Sequence, residues 1–395
     1  MKEQDPYKGF GLRRVINAST SLTRLGGSMP SPEVFRAMEE ASRAFTRIPP
    51  LQSWAGRRLA EALGAEAGLP TASAESALIL AVAACMMKGT ELERYDPLQP
   101  QAWTHIIQRI PMHTEGLRTE FIVLGNSRSE YDYAIECAGG RIIEAGSKDE
   151  VTVNDLRGAF AQDMTAAYYY TVQTPRKQIP LKDVIKTAHD NGVPIIVDAA
   201  PNLTHKRVPR ELLREGADLV AFSGGKQLGG LNCTGILLGR RDLVKLAHLQ
   251  SYPFDGIGRG AKMSRETIVG LVKSLELFME RDDEAYYKAL EAKTLDFARR
   301  LNEIPGIRSG VTYEPTAVKG LMGPSYAYIE LKDESKITLR RLHELLLEGD
   351  PPIETLYEPF FVIPDAAGRI TLKAEYLLEG DEQIIIERIR HIMTN

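Results

Sequence analysis

The chain has 395 residues, 43% of them hydrophobic, which is enough for a large core or for two domains. With 49 basic and 53 acidic residues and a formal net charge of -4, it has no positive excess to draw it to a nucleic acid or an anionic membrane. No run is apolar over the length needed to span a bilayer.

In chain order, the opening "MKEQDPYKGFGLRRV" lacks an apolar h-region, so a cytoplasmic protein without an export signal is expected. Residues 1–30 are expected to pack as a segment near the active cleft. Val34, Phe35, Met38 and Ala41 share one helical face, predicting a helix over 33–45 with its first turn at "SPE". A Pro-rich break at "RIPPLQSW" precedes a helix, "AGRRLAEALG", ended by Gly64. Next, the strand-like "AGLPTAS" meets an apolar helix over 75–87 whose first turn is small and polar. The first amides of such a helix lack intrahelical partners, which makes an anion site there physically cheap.

The chain then alternates. "EFIVLG", "GRIIEAG", "AAYYYTV", "VPIIVDAA", "DLVAFSG" and "GILLG" are short apolar strand candidates, and "EYDYAIECAG" and "LKDVIKTAHDNG" are helix candidates among them. This is βαβ grammar, and unalternating runs such as "VPIIVDAA" suit strands covered on both faces. The expected class is α/β: a large domain over 31–264 with a mostly parallel central sheet, then a linking helix and a smaller α+β domain over 265–395. In that second part a long helical region runs to Pro305-Gly306. "SYAYIELK" and "GRITLKAEY" alternate like half-exposed antiparallel strands, and "TLRRLHELLLEG" and "DEQIIIERIRHIM" read as amphipathic helices.

Cys85, Cys137 and Cys233 are far apart, and the seven histidines form no HExxH or CxxC-linked pattern. Buried or inert thiols and no protein metal site are expected.

Ligands of parallel α/β domains bind beyond the carboxyl ends of the strands. Three features are predicted to fall there: the turn Ser73, Ala74, Glu75 and Ser76; Asp198 in "VPIIVDAAP"; and Lys226 in "FSGGK". A helix start for a phosphate, one acid and one lysine together suit pyridoxal phosphate. Lys226 then bonds the aldehyde, Asp198 faces the pyridine nitrogen, and the amides near Ser73–Ser76 with Ser223 hold the phosphate. Gly224 and Gly225 are expected to let the backbone approach the cofactor. Blander readings stand beside these: Lys226 as a surface lysine of a turn, Asp198 as a turn cap before Pro201, "SAES" as an ordinary helix cap. A Walker A loop is disfavoured, because Gln227 follows the lysine and GxxxxGK[ST] is absent.

"VPIIVDAAP" followed by "GADLVAFSGGKQLGGLNCTGILLGRRDLV" resembles the aspartate-aminotransferase fold of pyridoxal-phosphate enzymes. More narrowly it resembles the group containing bacterial selenocysteine synthase and D-glucosaminate-6-phosphate ammonia-lyase. "RRVINAST", "GAEAGLPTASAESAL", "EYDYAIECAGGRIIEAG" and "GIGRGAKMSRETIVGL" resemble other blocks of that group, so the likeness runs from about residue 11 to 390. The resemblance implies that Lys226 is the Schiff-base lysine, that Asp198 partners the pyridine nitrogen, and that Ser73–Ser76 lie near the phosphate. It makes Arg259 and Lys262 candidates for an anionic substrate.

Arg24, in "NASTSLTRLGG", is a further candidate for a carboxylate or phosphate. In "GNSRSEYD" Arg128 matches the group's pattern and is counted among the substrate-binding candidates, while Ser127 stands where related chains carry a histidine. His105, His113 and Trp103 are considered as substitutes to cover the cofactor ring. "VINAS" beginning at Val15 leaves no room for the synthase's tRNA-binding domain, so a small amino-acid-like substrate is expected rather than a tRNA. The expected reaction is α,β-elimination releasing ammonia from a small hydroxy amino acid or amino-sugar acid, with or without a phosphate. Racemisation and transamination start from the same chemistry, and a catalytically silent assembly protein is the alternative of another class. A homo-oligomer with the dimer as minimum unit is implied by the resemblance.

Overall fold

A computed structural model of the chain describes residues 5–172, 178–332, 335–357 and 368–394. Two compact units emerge: Ser28–Arg281, and Met1–Gly27 together with Asp282–Asn395.

The larger unit is built on a seven-stranded sheet. Its strands are β1 (Ala67–Thr71), β2 (Glu120–Leu124), β3 (Arg141–Ala145), β4 (Thr165–Thr171), β5 (Ile195–Asp198), β6 (Leu219–Ser223) and β7 (Gly235–Gly239), in spatial order β1-β7-β6-β5-β4-β2-β3. All six apolar runs expected as strands are strands. β6, β5, β4, β2 and β3 pair in parallel, while β7 runs antiparallel to both β1 and β6. The reversal has a local cause. A parallel connection needs a crossover, normally a helix, and only the loop 224–234 joins β6 to β7.

Helices α1 (Pro32–Ser42), α2 (Ile48–Leu63) and α3 (Ala74–Met87) precede or follow β1. The Pro-rich break belongs to α2: Pro49 and Pro50 occupy its first turn, where a missing N–H costs nothing. α3 is apolar all round and buried all round, since it packs on the sheet and on α6 (Arg241–Gln250). Its Leu78, Leu80, Met86 and Met87 are all nearly or wholly inaccessible, and burying such side chains contributes about 1.5–3 kcal/mol each. α4 (Leu181–Asp190) and α5 (Arg207–Glu215) lie between β4, β5 and β6 in sequence, and α7 (Arg265–Glu280) packs on α1 and α2. The long helical region expected to open the second domain therefore divides. α7 belongs to the larger unit, and the boundary between units follows Arg281.

One end of the sheet is pinned by Asp218. Its Oδ2 accepts from Ile195 N–H at 2.9 Å and sits 2.8 Å from His189 Nε2, and its Oδ1 accepts from Arg240 at 2.9 Å. That clamp holds β5 and β6 in register, with Asp198 opposite Ala221, so that Ser223 projects two residues past Asp198 at the other end.

In the smaller unit, β8 (Ile307–Tyr313), β9 (Ser325–Leu331), β10 (Leu356–Tyr357) and β11 (Ile370–Leu372) form an antiparallel sheet in the order β10-β11-β9-β8. α8 (Asp283–Asn302), α9 (Leu339–Glu348) and α10 (Asp381–Thr394) supply Phe297, Leu301, Leu342, Ile385 and Ile389 to its core. The N-terminal residues join it through Ile16 and Asn17, which pair in parallel with Ile353 and Glu354, and through the Arg14–Asp381 ion pair at 2.7 Å.

Candidate functional site

The carboxyl ends of β1, β6 and β5 bring one group of side chains to a single edge of the larger unit. β5 ends on Asp198. β6 ends on Ser223 and turns through Gly224 and Gly225 to Lys226. β1 leads through Ser73 into α3. β7 starts at this edge, with Gly235 paired to both Thr71 and Ser223. A side chain at Gly235 would collide with the Ser73 carbonyl and, at 2.6 Å, with Ala74 N.

Gly224 and Gly225 are needed by their own loop. A methyl at Gly224 would overlap the Thr234 hydroxyl, and one at Gly225 would lie 2.5 Å from Asn232 Cα. Gly224 N–H donates to Thr234 O and Gly230 N–H to Gly224 O, both at 2.9 Å, which folds the lysine loop back on itself. Ser28 N–H reaches Gly225 O at 2.9 Å and Ser28 Oγ reaches Gly230 O at 2.7 Å.

Asp198 is almost wholly buried. Its Oδ1 accepts from Ala200 N–H at 3.0 Å. Burial pushes its carboxyl up to about 6, while the Ala200 N–H and the Lys226 ammonium pull it down and the Asp132 charge raises it. Lys226 is half-buried and close enough to act on Asp198, so the two are not independent surface groups.

Ser73 is the N-cap of α3. Its Oγ accepts from Ser76 N–H at 2.9 Å and lies 3.0 Å from Ser76 Oγ. The cap reading and the anion reading are thus compatible. The side chain of Ser73 satisfies one amide, and the first-turn amides of Ala74 and Glu75 are left with no intrahelical partner. A small pocket beside this helix start is lined by Thr71, Ala72, Ser76, Ser251, Tyr252 and Gly258.

The remaining candidates are placed as follows. Arg128, in the turn after β2, gives Nε to Asp132 Oδ2 at 2.7 Å and also pairs with Glu144. Arg259 pairs with Asp255 at 3.4 Å and lies over the Tyr252 ring at 5.6 Å, on the loop that flanks Ser76. Lys262 is exposed on the same loop. Arg24 belongs to the smaller unit, where it pairs with Glu354 at 2.5 Å. The aromatic substitutes considered for the ring are engaged elsewhere. Trp103 is buried in the core against Tyr95 and Phe254, and His105 and His113 are solvent-exposed.

Five polar atoms escaped the sequence reading. Thr171 Oγ1, Asn202 Oδ1, Gln227 Oε1, Tyr169 OH and Asp132 Oδ1 are buried with no hydrogen-bond partner among the described residues. Thr171 ends β4 opposite Asp198, Asn202 follows β5, and Gln227 follows the lysine. Their signal was positional: each is a polar residue on, at or just after a strand that ends at this edge. Buried orphans at one edge, beside a lysine, an acid and a helix start, fit a polar, phosphate-bearing ring.

The family model described as SelA, L-seryl-tRNA selenium transferase, matches residues 118–300. A 5'-C-glycyluridine monooxygenase-decarboxylase of Streptomyces sp is 32% identical over 310 residues, spanning 76% of this chain and 72% of that protein. D-glucosaminate-6-phosphate ammonia lyase of Salmonella typhimurium is 31% identical over 277 residues, spanning 68% and 69%. Among solved structures, a D-glucosaminate-6-phosphate ammonia-lyase superposes with a TM-score of 0.80 over 99% of both chains at 26% identity. The chain belongs to the family of fold-type-I pyridoxal-phosphate enzymes that includes D-glucosaminate-6-phosphate ammonia-lyase and L-seryl-tRNA selenium transferase.

Proposed function

We propose that the protein is a pyridoxal-phosphate-dependent ammonia-lyase acting on a small hydroxy amino acid or amino-sugar acid, with or without a phosphate. The observation that carries the reading is the placement of a buried acid, Asp198, and of Lys226 at the same strand-end edge, in a chain that superposes on an ammonia-lyase along its whole length. When bound, the cofactor supplies an aldehyde to capture an amine and a ring that takes up negative charge.

The chain's own residues do the rest. Lys226 would hold the aldehyde, and its free Nζ is the base proposed for the substrate's α-proton. Asp198 would hold a proton at the ring nitrogen. The Ala74 and Glu75 amides with the hydroxyls of Ser76 and Ser223 hold the phosphate. Arg259 and Lys262, on the loop that flanks Ser76, are the cations proposed for an anionic substrate group. Arg128 and Arg24 are kept as further candidates, each already committed to a carboxylate. Loss of the β-hydroxyl as water, followed by uptake of water, yields a 2-oxo acid and ammonia.

A second reading is favoured by one observation: the relative at 32% identity is a monooxygenase-decarboxylase. It replaces ammonia release by oxygen uptake and loss of carbon dioxide. We place the protein in the cytoplasm as a homodimer or a larger even assembly. Among the described residues, no helix is long and apolar enough to cross a membrane.

The test is a panel of D- and L-hydroxy amino acids and amino-sugar acids, with and without phosphate, with products identified. Ammonia and oxo acid in equal amounts are expected. Oxygen-dependent carbon dioxide release moves the assignment to the second reading, and α-proton exchange without either product moves it to a racemase.

A further inference from the structure

Lys226 stands in a stretch that its composition leaves loose. Gly224 and Gly225 precede it, Gly229 and Gly230 follow it, and glycine has the widest backbone freedom of any residue. A lysine that must bring its Nζ to one aldehyde needs the direction of its Cα–Cβ bond fixed first.

The loop closes on itself. Gly229 N–H donates to Lys226 O at 2.9 Å, so residues 226–229 form a turn, with Gly229 left-handed at φ 75°. Gly230 N–H donates to Gly224 O and Gly224 N–H to Thr234 O, both at 2.9 Å, and Thr234 Oγ1 donates to Leu231 O at 2.6 Å. One side of the loop lies on α7. A methyl at Gly270 would meet Leu231 of the loop as well as Met38 of α1, and a methyl at Gly224 would lie 3.0 Å from Leu271.

Ser28 ties the loop to the chain ahead of α1. It is the first residue of the larger unit and is buried. Its N–H donates to Gly225 O at 2.9 Å and its Oγ donates to Gly230 O at 2.7 Å. These two carbonyls stand on either side of the turn. Gly225 O belongs to the planar peptide that ends on Lys226 N, so fixing that carbonyl sets the plane from which the Lys226 side chain leaves. Gly230 O lies on the return side, so the hydroxyl keeps the turn from opening away from the first bond. α1 begins at Pro32, four residues after Ser28, and packs on α7, which also backs the loop. Ser28 and the loop are thus held by the same pair of helices.

We propose, on the reading of Lys226 as the lysine that bonds the cofactor, that Ser28 is a positioning residue for Lys226, its N–H and hydroxyl clamping the two ends of the turn that carries the lysine. It acts through the loop backbone. The clamp raises the share of loop conformations in which the lysine amine can bond an aldehyde carbon with loss of one water. A binding step that needs one conformation weakens in proportion as that conformation is depopulated.

The experiment compares full-length wild type with Ser28→Ala, which removes the hydroxyl and keeps the N–H, and with Ser28→Thr, which keeps both. Thr187→Val is the control, because it removes another buried hydroxyl, one that donates to Asp183 O at 2.8 Å within α4. Borohydride trapping and peptide mapping of the wild type first locate the cofactor. An adduct away from Lys226 defeats the underlying reading, while hydrogen exchange of the amides over residues 224–234 in cofactor-free protein separately decides whether Ser28 holds the turn. The second readout is the affinity for pyridoxal phosphate set against that for pyridoxine phosphate. The latter has the same ring and phosphate but an alcohol in place of the aldehyde, so it cannot bond the lysine.

Ser28→Ala is expected to speed exchange in the loop by about 5-fold and to weaken pyridoxal phosphate by a similar factor, with pyridoxine phosphate bound as before. Ser28→Thr is expected to stay near wild type in both readouts, and Thr187→Val to lower the melting temperature without moving either. A merely structural role for Ser28 weakens both ligands together. Unchanged loop exchange in Ser28→Ala, equal loss of both ligands, no recovery in Ser28→Thr, or the same shifts in Thr187→Val overturn the proposal.

Discussion

Asp198 carries an energetic burden, because burial disfavours its charged form. Its carboxyl titrates near 3.8 when exposed and at about 6 in the fold, chiefly because burial disfavours its charge. Between those values the folded protein binds the proton that the unfolded chain has released. Stability from this group is therefore full below about 4, falls as pH rises to about 6, and stays low above it. The difference corresponds to about 3 kcal/mol at pH 7. Asp198→Asn is thus expected to stabilise the cofactor-free protein at pH 7 by up to that amount and to leave it unchanged near pH 4, as measured by denaturant unfolding at both values. The same variant is expected to lose turnover by about 100-fold or more, since an amide holds no proton for the ring. Lys226→Ala is expected to abolish the absorbance near ~420 nm that a lysine-bound cofactor shows, and an unchanged spectrum would remove that residue from its assignment. The placement of Asp198 and Lys226 at one strand-end edge could be read from sequence because each lies at or just past the end of an apolar run that reads as a buried strand. That Thr171, Asn202 and Tyr169 are buried without partners among the described residues could not, because an unsatisfied hydrogen bond is a property of three-dimensional neighbours. Trp103 was considered as a cover for the ring for the same reason: nothing in "QAWTHII" reveals that Phe254 and Tyr95 enclose it.

Elements were legible where one physical signal dominated. Each apolar run between turn residues became a strand, and the Gly64 stop ended α2 in a left-handed turn. Two features were hidden. The start of α2 was masked by Pro49 and Pro50, which break a helix interior but are tolerated in its first turn. The direction of β7 was hidden because an apolar pentamer reads the same in either sense, and only the absence of a crossover helix decides it. β7 matters to the site through Gly235, which lets the strand start lie against the Ser73 carbonyl. Gly235→Ala must push the α3 start away and is expected to destabilise by about 1–3 kcal/mol. It should also speed cofactor loss, because the displaced amides are those assigned to the phosphate. Ser73→Ala tests the same helix start more gently: loss of the cap is expected to cost about 1 kcal/mol with the cofactor retained. Cofactor retention after dialysis, set against melting temperature, separates the two variants. Equal retention in both would detach the α3 start from phosphate binding.

At the scale of the whole molecule, charge and family pull in different directions. The matching family model is that of a selenium transferase for seryl-tRNA, yet 49 basic residues against 53 acidic ones leave the chain negative. A protein that holds a tRNA does so largely by neutralising phosphates, and its affinity then falls steeply with salt. The cations near the proposed site are few, and Arg128 and Arg259 are each already paired with a carboxylate. Such a site can neutralise one phosphate or carboxylate of a small substrate but not a polynucleotide backbone. The protein is therefore expected to retain no tRNA in a filter-binding assay at about 150 mM salt, a concentration at which real phosphate contacts still register. Inorganic phosphate or a phosphorylated amino-sugar acid is expected to compete for the site. Removing Arg259 and Lys262 together should raise KM for a phosphorylated substrate by about 10-fold or more with kcat nearly kept, because binding shared by ground and transition states leaves kcat alone. A fall in kcat with KM unchanged would mean that these cations act on the reacting atoms, and the anionic-substrate assignment would have to move to Arg128.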